Sequence, residues 1–364
     1  GSPSVRGSGL VELVELEAQK LQGMELLDRS NVAGAIKETE LSELFGSKAA
    51  GLRLQLGRRL KADALLCLDL TAVKGTNYLK VVASDCHFGA RLHVSMETYS
   101  DKNKEEAAAR LGGVVRDVRQ RYARGIQQVI VVPPFVCRNV VHDFDHLQSG
   151  YACLVEGALT EMPGLATLEQ EEARAVRQEL LAGTSAGQAP QVPLFVEGEY
   201  EFLNPAAGKS TGVSIKVNLT DGEKTLKTLS WTSAAPADAV KYLSQELPGL
   251  IVKEKGLSGA APVSLEKQFE ALTARARTLA RLGQTELTIG MREAILLLKP
   301  DSAEQRLVLI DEYCSLVAHH KPIKGVAVRP GEEGYEKFRE AKTRIWETAL
   351  EHFGFDRFAS RVAE

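Results

Sequence analysis

The sequence contains no hydrophobic run long enough for a membrane helix, although 44% of its 364 residues are hydrophobic. A helix that spans a bilayer needs about 20 consecutive apolar residues, so we expect no membrane span in this sequence. The charge is also nearly balanced, with a net value of −3. No overall field therefore favours nucleic acid or an anionic membrane as a partner. The composition is typical of a protein with about two or three ordinary hydrophobic cores.

The cysteines are few and irregularly spaced, which argues against a disulfide framework. There are five of them, and no two form a C-x-x-C pair. We expect buried or incidental thiols, which are typical of a reducing compartment. The cysteines are Cys67, Cys86, Cys137, Cys153 and Cys314.

No complete catalytic motif is present. Residues 207–211 (AGKST) have the ending of a phosphate-binding loop, but Leu203 stands where such a loop needs its first glycine. The segment also joins two predicted strands, so we interpret it as a hairpin turn. A G-x-S-x-G motif is missing as well, and no residues assemble a nucleophile, a base and an oxyanion donor. The sequence thus predicts a protein that is not an enzyme, with no catalytic residues and no cofactor.

Two histidines, His142 and His146, are the best candidates for metal ligands. On a helix, their spacing of four residues could bring both imidazoles onto one metal. Asp143 stands where the H-E-x-x-H motif has glutamate, and the sequence shows no third ligand. The simpler interpretation is a polar loop in which Asp143 or Asp145 caps the next helix. The alternative is a ligand-binding or metal-binding enzyme with its site near residues 137–147.

The part of the chain with the clearest pattern begins with a β-branched run at residues 128–135 (QVIVVPPF). Such a run predicts a buried strand that ends at its proline pair. A helix follows, because Leu147, Tyr151, Leu154 and Ala158 recur at helical spacing. The next predicted elements are a strand at residues 165–169 and a helix at residues 171–181. Together they predict a β-α-β-α opening.

The same pattern occurs earlier in the chain at a constant offset of 141 residues. This offset exceeds the period of solenoid repeats, so we interpret it as duplication of a globular domain. The first copy has a predicted strand at residues 24–28, but no strand ahead of its first helix. The matched residues are Gly9 and Gly150, Leu13 and Leu154, Glu15 and Glu156, Gly23 and Gly164, and Leu27 and Leu168.

Each copy continues into an antiparallel meander and a closing helix. A short final strand is predicted at residues 250–252, followed by a linker at residues 257–262. The later helices weakly resemble hairpins of the tetratricopeptide type. The predicted meander strands lie at residues 64–73, 78–84 and 91–98 in the first copy and at residues 194–202, 213–219 and 225–231 in the second.

These elements predict a mixed α/β fold class. It consists of two tandem domains, each with a mixed sheet, and an all-helical carboxyl-terminal region. The predicted boundaries are residues 1–124 for the first domain, 125–256 for the second and 263–364 for the helical region.

Several short motifs resemble the amino-terminal domain of TolB and the related domain of the curli secretion channel, which has an α/β fold of the anticodon-binding type. The first copy carries residues 23–29 (GMELLDR), 37–38 (KE) and 56–63 (LGRRLKAD). The second carries residues 131–135 (VVPPF) and 165–180. The resemblance extends over roughly residues 10–252. It implies interaction or assembly domains of the bacterial envelope, without a known active site.

The sequence therefore predicts a non-enzymatic module that binds protein partners or associates with itself in a bacterial envelope. Gly1 and Ser2 are typical of a cloning scar. We expect further residues upstream, including a targeting segment that has been removed, and a periplasmic or envelope-associated location. The scattered cysteines favour a cytoplasmic location instead, so both compartments stay open. We also expect the upstream residues to fill the place of the missing leading strand in the first copy.

Overall fold

The computed structural model has the predicted mixed α/β architecture, with two β-sheets and a helical carboxyl-terminal region. Among the described residues, none of the helices combines the length and apolarity that a membrane span requires. The structure describes residues 5, 7–27, 44–45, 49–73, 75–140, 144–169, 172–173, 193–204, 211–221, 224–257, 263–319 and 343–345.

The first domain is built on an antiparallel sheet of three strands in the order of the chain. Strand alternation sends neighbouring side chains to opposite faces of this sheet. Its elements are α1 (Leu10–Gln19), α2 (Ala50–Leu60), β1 (Ala64–Val73), β2 (Thr76–Asp85), β3 (Arg91–Thr98) and α3 (Lys104–Arg124).

Helices cover both faces of the first sheet. Leu68 of β1 packs in one core with Leu10 of α1 and Leu111 of α3. Its neighbour Cys67 points the other way and packs with Leu56 of α2. The sheet is therefore apolar on both sides, because each face is covered by helices.

The second domain has a mixed sheet of six strands. Its elements are β4 (Gln128–Val131), β5 (Val136–Cys137), α4 (Leu147–Thr160), β6 (Leu165–Leu168), β7 (Leu194–Leu203), β8 (Gly212–Thr220), β9 (Thr225–Ser233), α5 (Asp238–Lys241) and α6 (Leu247–Glu254). The strand order is β6-β4-β7-β8-β9, with β5 also beside β7. Strand β4 runs parallel to both β6 and β7, and β5 also runs parallel to β7. Strands β7, β8 and β9 form the predicted antiparallel meander.

The carboxyl-terminal helices pack directly against the second domain. They are α7 (Leu265–Arg281), α8 (Thr285–Leu298) and α9 (Ala303–His319). A β-carbon added at Gly290 of α8 would lie 2.8 Å from the β-carbon of Ser149 on α4, so these two helices are in close contact. Leu272 of α7 and Ile295 of α8 belong to the same hydrophobic core as the second sheet. The helical region therefore completes the core of the second domain.

Two strand predictions in the second domain are wrong in detail. Strand β4 ends at Val131, earlier than predicted, and Phe135 is instead a fully buried residue of the core beyond the prolines. The strand predicted at residues 250–252 is part of helix α6, because Leu247 and Ile251 lie one helical turn apart and both face the core.

The elements on either side of residues 207–211 agree with the predicted hairpin turn and not with a phosphate loop. Strands β7 and β8 flank this segment, and they pair antiparallel up to Leu203 and Gly212. Thr211 donates its backbone N–H to the Leu203 carbonyl at 3.0 Å. The segment therefore connects two strands and is not followed by the helix that a phosphate loop needs. Residues 207–210, including Lys209, lie outside the described residues.

The two copies correspond in their first helix, in the glycine turn after it and in the three-stranded meander, and they differ at residues 24–27, where β6 has no counterpart. Leu13 and Leu154 both lie in helices, α1 and α4. Gly23 and Gly164 follow these helices in the same left-handed conformation, with φ of 71° and 78°. Strands β1 and β7 each have 10 residues and each begin the meander. These correspondences support the predicted duplication.

Candidate functional site

The predicted metal site is only partly within the described residues. His142 and Asp143 lie outside them, and His146 is the residue that immediately precedes helix α4. Asp145 does not hold the capping position, which His146 occupies without a side-chain cap. Among the described residues, no group of three or more His, Cys, Asp or Glu side chains is arranged to hold a metal ion.

The described part of the alternative site, residues 137–140 and 144–147, is occupied by contacts that hold the chain along β7. The amide of Asn139 accepts from the backbone N of Phe202 at 2.8 Å and donates to its carbonyl at 2.9 Å. The Tyr200 hydroxyl donates to the carbonyl of Phe144 at 2.6 Å. Burial raises the pKa of the half-exposed Cys137 thiol. These groups pair with the backbone and extend the sheet edge.

The buried thiols are not activated nucleophiles. Burial raises the pKa of Cys67 to about 11 and that of Cys153 to about 12. A thiol must lose its proton to act as a nucleophile or a metal ligand. Both thiols therefore stay protonated near neutral pH and serve as small apolar side chains of the core.

Helix α2 lies between the two sheets and joins the two domains. Its Leu56 packs against the first sheet. Its Ala50 and Leu54 pack against Val129 and Val131 of β4 in the second sheet. Its apolar residues thus lie on more than one face of the helix, while Gln55, Arg58 and Arg59 are exposed. Helix α2 therefore contributes to two cores at once.

Arg53 on α2 is fully buried in this junction, with 0% of its surface exposed. Its guanidinium donates to the carbonyl of Gly89 through Nε at 3.1 Å and to that of Leu44 through Nη1 at 3.1 Å. The same group donates to Glu172 Oε1 at 2.6 Å. Burial lowers the pKa of Arg53 from its usual value, and Glu172 opposes that shift.

Two further arginines extend this cluster of ion pairs, Arg91 with a buried side chain and Arg275 with a side chain that is 32% exposed. Arg91 of β3 lies 2.7 Å from Glu172 and 2.6 Å from Glu169. Arg275 of α7 lies 2.7 Å from Glu156 and 3.7 Å from Glu169. Burial alone would lower the pKa of Arg91, but the carboxylates of Glu172 and Glu169 outweigh it and raise that pKa.

We call the six side chains of Arg53, Arg91, Arg275, Glu156, Glu169 and Glu172 the junction network. They come from the first domain, the second domain and the helical region, so the network connects all three. A buried charge without a partner is strongly destabilising, which makes such a network sensitive to displacement of any member. The network therefore favours one relative arrangement of the three parts.

The sequence analysis did not identify the junction network. One signal was available, because Arg53 lies within a helix whose apolar residues cover more than one face, and an arginine there needs a buried partner. The partners could not be identified from the sequence, since Arg53 and Glu172 are 119 residues apart.

The first copy differs from the second directly after its glycine turn. In the second copy, residues 165–168 form β6, which pairs with β4, and Leu168 is 1% exposed. In the first copy, the equivalent residues 24–27 form no strand, so the strand predicted at residues 24–28 is wrong for this described part. A strand needs a partner for its backbone groups, and among the described residues no strand lies beside residues 24–27.

The first copy therefore has an exposed apolar segment and, among the described residues, an unpaired sheet edge at β1. Leu26 and Leu27 are 42% and 40% exposed. Among the described residues, β1 pairs with β2 alone, whereas its counterpart β7 pairs with β8 on one edge and with β4 and β5 on the other. We call the outer edge of β1 together with residues 24–27 the open edge.

Comparison with models of known protein families, with curated proteins and with solved structures gives no match to this chain.

Proposed function

We propose that the chain is a non-enzymatic protein-interaction or assembly module whose contact surface is the open edge of the first domain. The observation that supports this proposal is the contrast between equivalent segments of the two copies. The second copy buries Leu168 in a paired strand, whereas the first copy exposes Leu27 and, in the part that the structure describes, leaves one edge of β1 unpaired. Unpaired edges with exposed apolar side chains are sites where proteins add a strand from a partner.

The junction network supports a binding role, because it holds the three parts of the protein in one arrangement. A surface binds with a smaller entropic cost when it is held in one conformation before the partner arrives. The network ties the first domain to the second through Arg53 and Arg91, and it ties the second domain to the helical region through Arg275. The network thus holds the first domain, which carries the open edge, in a fixed position relative to the rest of the protein.

The resemblance to the amino-terminal domain of TolB and to the curli secretion channel supports a setting in the bacterial envelope. We therefore propose a periplasmic or envelope-associated location. Fractionation of cells that produce the protein naturally tests this part of the proposal. Recovery of the protein in the cytoplasmic fraction alone would contradict it.

Site-specific photo-crosslinking tests the interaction surface. A photoreactive residue placed at Leu27 should give discrete crosslinked products with protein partners in extracts of the producing cells. The matched control is Leu226 on β9 of the second domain, which is 44% exposed. We expect products from position 27 and none above background from position 226. Equal amounts of crosslinked product from both positions would show that partners do not bind preferentially at the open edge.

A further inference from the structure

Residues 343–345 lie against helices α8 and α9 through one buried ion pair. The guanidinium of Arg344 donates to both carboxylate oxygens of Glu293 on α8, from Nε at 2.9 Å and from Nη2 at 2.9 Å. The Glu293 side chain is 2% exposed and that of Arg344 is 9% exposed. Such a two-point contact fixes the orientation of the guanidinium as well as its charge. The structure therefore contains a guanidinium-binding site that Arg344 occupies.

The neighbouring helices hold the Glu293 carboxylate in place. The Tyr313 hydroxyl of α9 donates to Glu293 Oε1 at 2.7 Å. Helix α4 also approaches closely, because a β-carbon added at Gly150 would lie 3.2 Å from the β-carbon of Glu293. Burial raises the pKa of Glu293, but the ion pair with Arg344 outweighs burial and brings that pKa below its usual value. The fold thus presents a buried negative charge that needs a cationic partner.

An apolar groove lies beside this carboxylate. On α8, the residues three and four positions from Glu293 are apolar and pack against α9. Ile345 packs against the small core that they form with α9. The buried members of this core are Ile289, Leu296, Leu309 and Tyr313. We call these four residues together with Glu293 the α8–α9 groove.

Residues 343–345 bury little apolar surface in the α8–α9 groove. Thr343 is exposed and Ile345 is only partly buried, so Arg344 supplies the one fully buried side chain of the three. An element with few buried apolar contacts detaches at a lower free-energy cost than one in a large core. Loss of Arg344 alone would leave Glu293 as an unpaired buried charge, whereas exchange for another guanidinium keeps the pair. The groove is therefore selective for an occupant that carries an arginine.

We propose that the α8–α9 groove is a second interaction surface, which binds an arginine-bearing segment of a partner protein and is held closed by Arg344 of the same chain. The partner segment has an arginine followed by an apolar β-branched residue, because residues 344–345 fill the groove with that pattern. A second copy offers only the segment that each chain already binds within itself at high effective concentration, so it has no advantage as the occupant. This surface belongs to the helical region and goes beyond the proposed role of the open edge.

A peptide with the sequence of residues 340–349 (EAKTRIWETA), labelled with a fluorophore, is the probe. Fluorescence anisotropy measures its affinity for the full chain and its variants. Arg344→Gln removes the competing guanidinium, and Arg344→Lys keeps the charge but loses the two-point contact. We expect Arg344→Gln to bind the peptide about tenfold or more tightly than the unchanged protein, with Arg344→Lys in between. The matched control is Arg110→Gln, at an exposed arginine of the first domain, and its affinity should stay within about twofold of the unchanged protein.

Two further changes locate the peptide on Glu293. A second peptide carrying Arg344→Gln offers no cation to the carboxylate and should show no saturable binding. A protein that combines Glu293→Gln with Arg344→Gln has no unpaired charge in the groove and should fold, but it should lose the binding that Arg344→Gln alone shows.

Absence of saturable binding to the Arg344 variants, equal affinity of these variants and the unchanged protein, or binding that persists in the double variant overturns the proposal. If Arg344→Gln does not fold, Arg344→Lys decides between the same outcomes, since it keeps a cation beside Glu293. A dimer of the unchanged protein that Arg344→Gln abolishes in sedimentation would identify a second copy as the occupant and would also overturn the proposal. Crosslinking at position 27 tests the open edge independently of these results.

Discussion

The two copies of the α/β unit have equivalent glycine turns, but the residues after the turn form a paired strand only in the second copy. After Gly164 the chain forms β6 and buries Leu168, whereas after Gly23 the same number of residues stays unpaired and exposes Leu27. The local sequences are similar, with LATL in one copy and MELL in the other. The difference lies in the neighbour, because β4 is present beside β6. A strand in this fold is therefore determined by its partner as much as by its own residues.

The second difference concerns how each copy covers its sheet. The second copy uses α7 and α8 from the helical region to complete its core, and it receives α2 from the first copy on the opposite face. The first copy covers its sheet with its own α1, α2 and α3. The second copy thus depends on the rest of the chain for its packing. This dependence explains why the junction network links three parts of the sequence.

The largest expected effect comes from breaking the junction between the copies. Arg53→Met leaves the buried Glu172 without its partner on α2 and should lower the free energy of unfolding by about 3–5 kcal/mol. Urea denaturation measures this loss. The matched control is Arg110→Met, because Arg110 pairs with Glu97 at 2.8 Å on the exposed surface. It should cost about 1 kcal/mol or less. A similar cost for both variants would show that the junction network does not hold the copies together.

The same substitution at equivalent positions tests the contrast between the copies. Leu168→Ala removes a fully buried side chain and should cost about 2–5 kcal/mol of unfolding free energy. Leu27→Ala removes an exposed one and should cost about 0.5 kcal/mol or less. Both values come from the same denaturation experiment. Comparable losses would mean that Leu27 is packed as Leu168 is, and the contrast would disappear.

The glycine turns should respond alike in both copies. Gly23→Ala and Gly164→Ala force a β-carbon into the left-handed conformation, with an expected cost of about 1–2 kcal/mol each. Gly113 on helix α3 is the control, since a β-carbon there meets no atom within 4 Å. Gly113→Ala should raise the stability by about 0.5–1 kcal/mol, because alanine favours the helix. A cost at only one of the two turns would argue against the duplication.

Periodicity and turn residues predicted most of the fold. Strand β3 has the predicted boundaries of residues 91–98, and β1 has those of residues 64–73. The errors occur where distant parts of the chain decide the outcome. Residues 24–27 match the position of β6 in the second copy but have no paired strand beside them among the described residues, and residues 250–252 are apolar because their helix faces a core. Composition alone does not distinguish a buried helix from a buried strand.

Less of the candidate site than of the fold could be predicted from the sequence. The missing leading strand of the first copy predicted an unpaired sheet edge, and the described residues have one at β1. The junction network depends on contacts between residues far apart in the sequence, such as Arg91 and Glu172, which are 81 positions apart. No periodicity relates such residues. The sequence instead indicated His142 and His146 as candidate metal ligands, because their spacing is a local pattern that can be recognised without the fold.

Hydrogen exchange at equivalent amides tests the central claim most directly, that the first copy contains an unfilled strand position. Exchange in the free protein, followed by mass spectrometry, compares residues 24–27 with residues 165–168, and β1 with β7. We predict rapid exchange at residues 24–27 and slow exchange at residues 165–168, because the latter pair with β4. Along the meander, we expect protection of only those β1 amides that point toward β2, whereas amides on both edges of β7 should be protected. Protection of residues 24–27 equal to that of residues 165–168 would show that the strand position is already filled and would contradict the account.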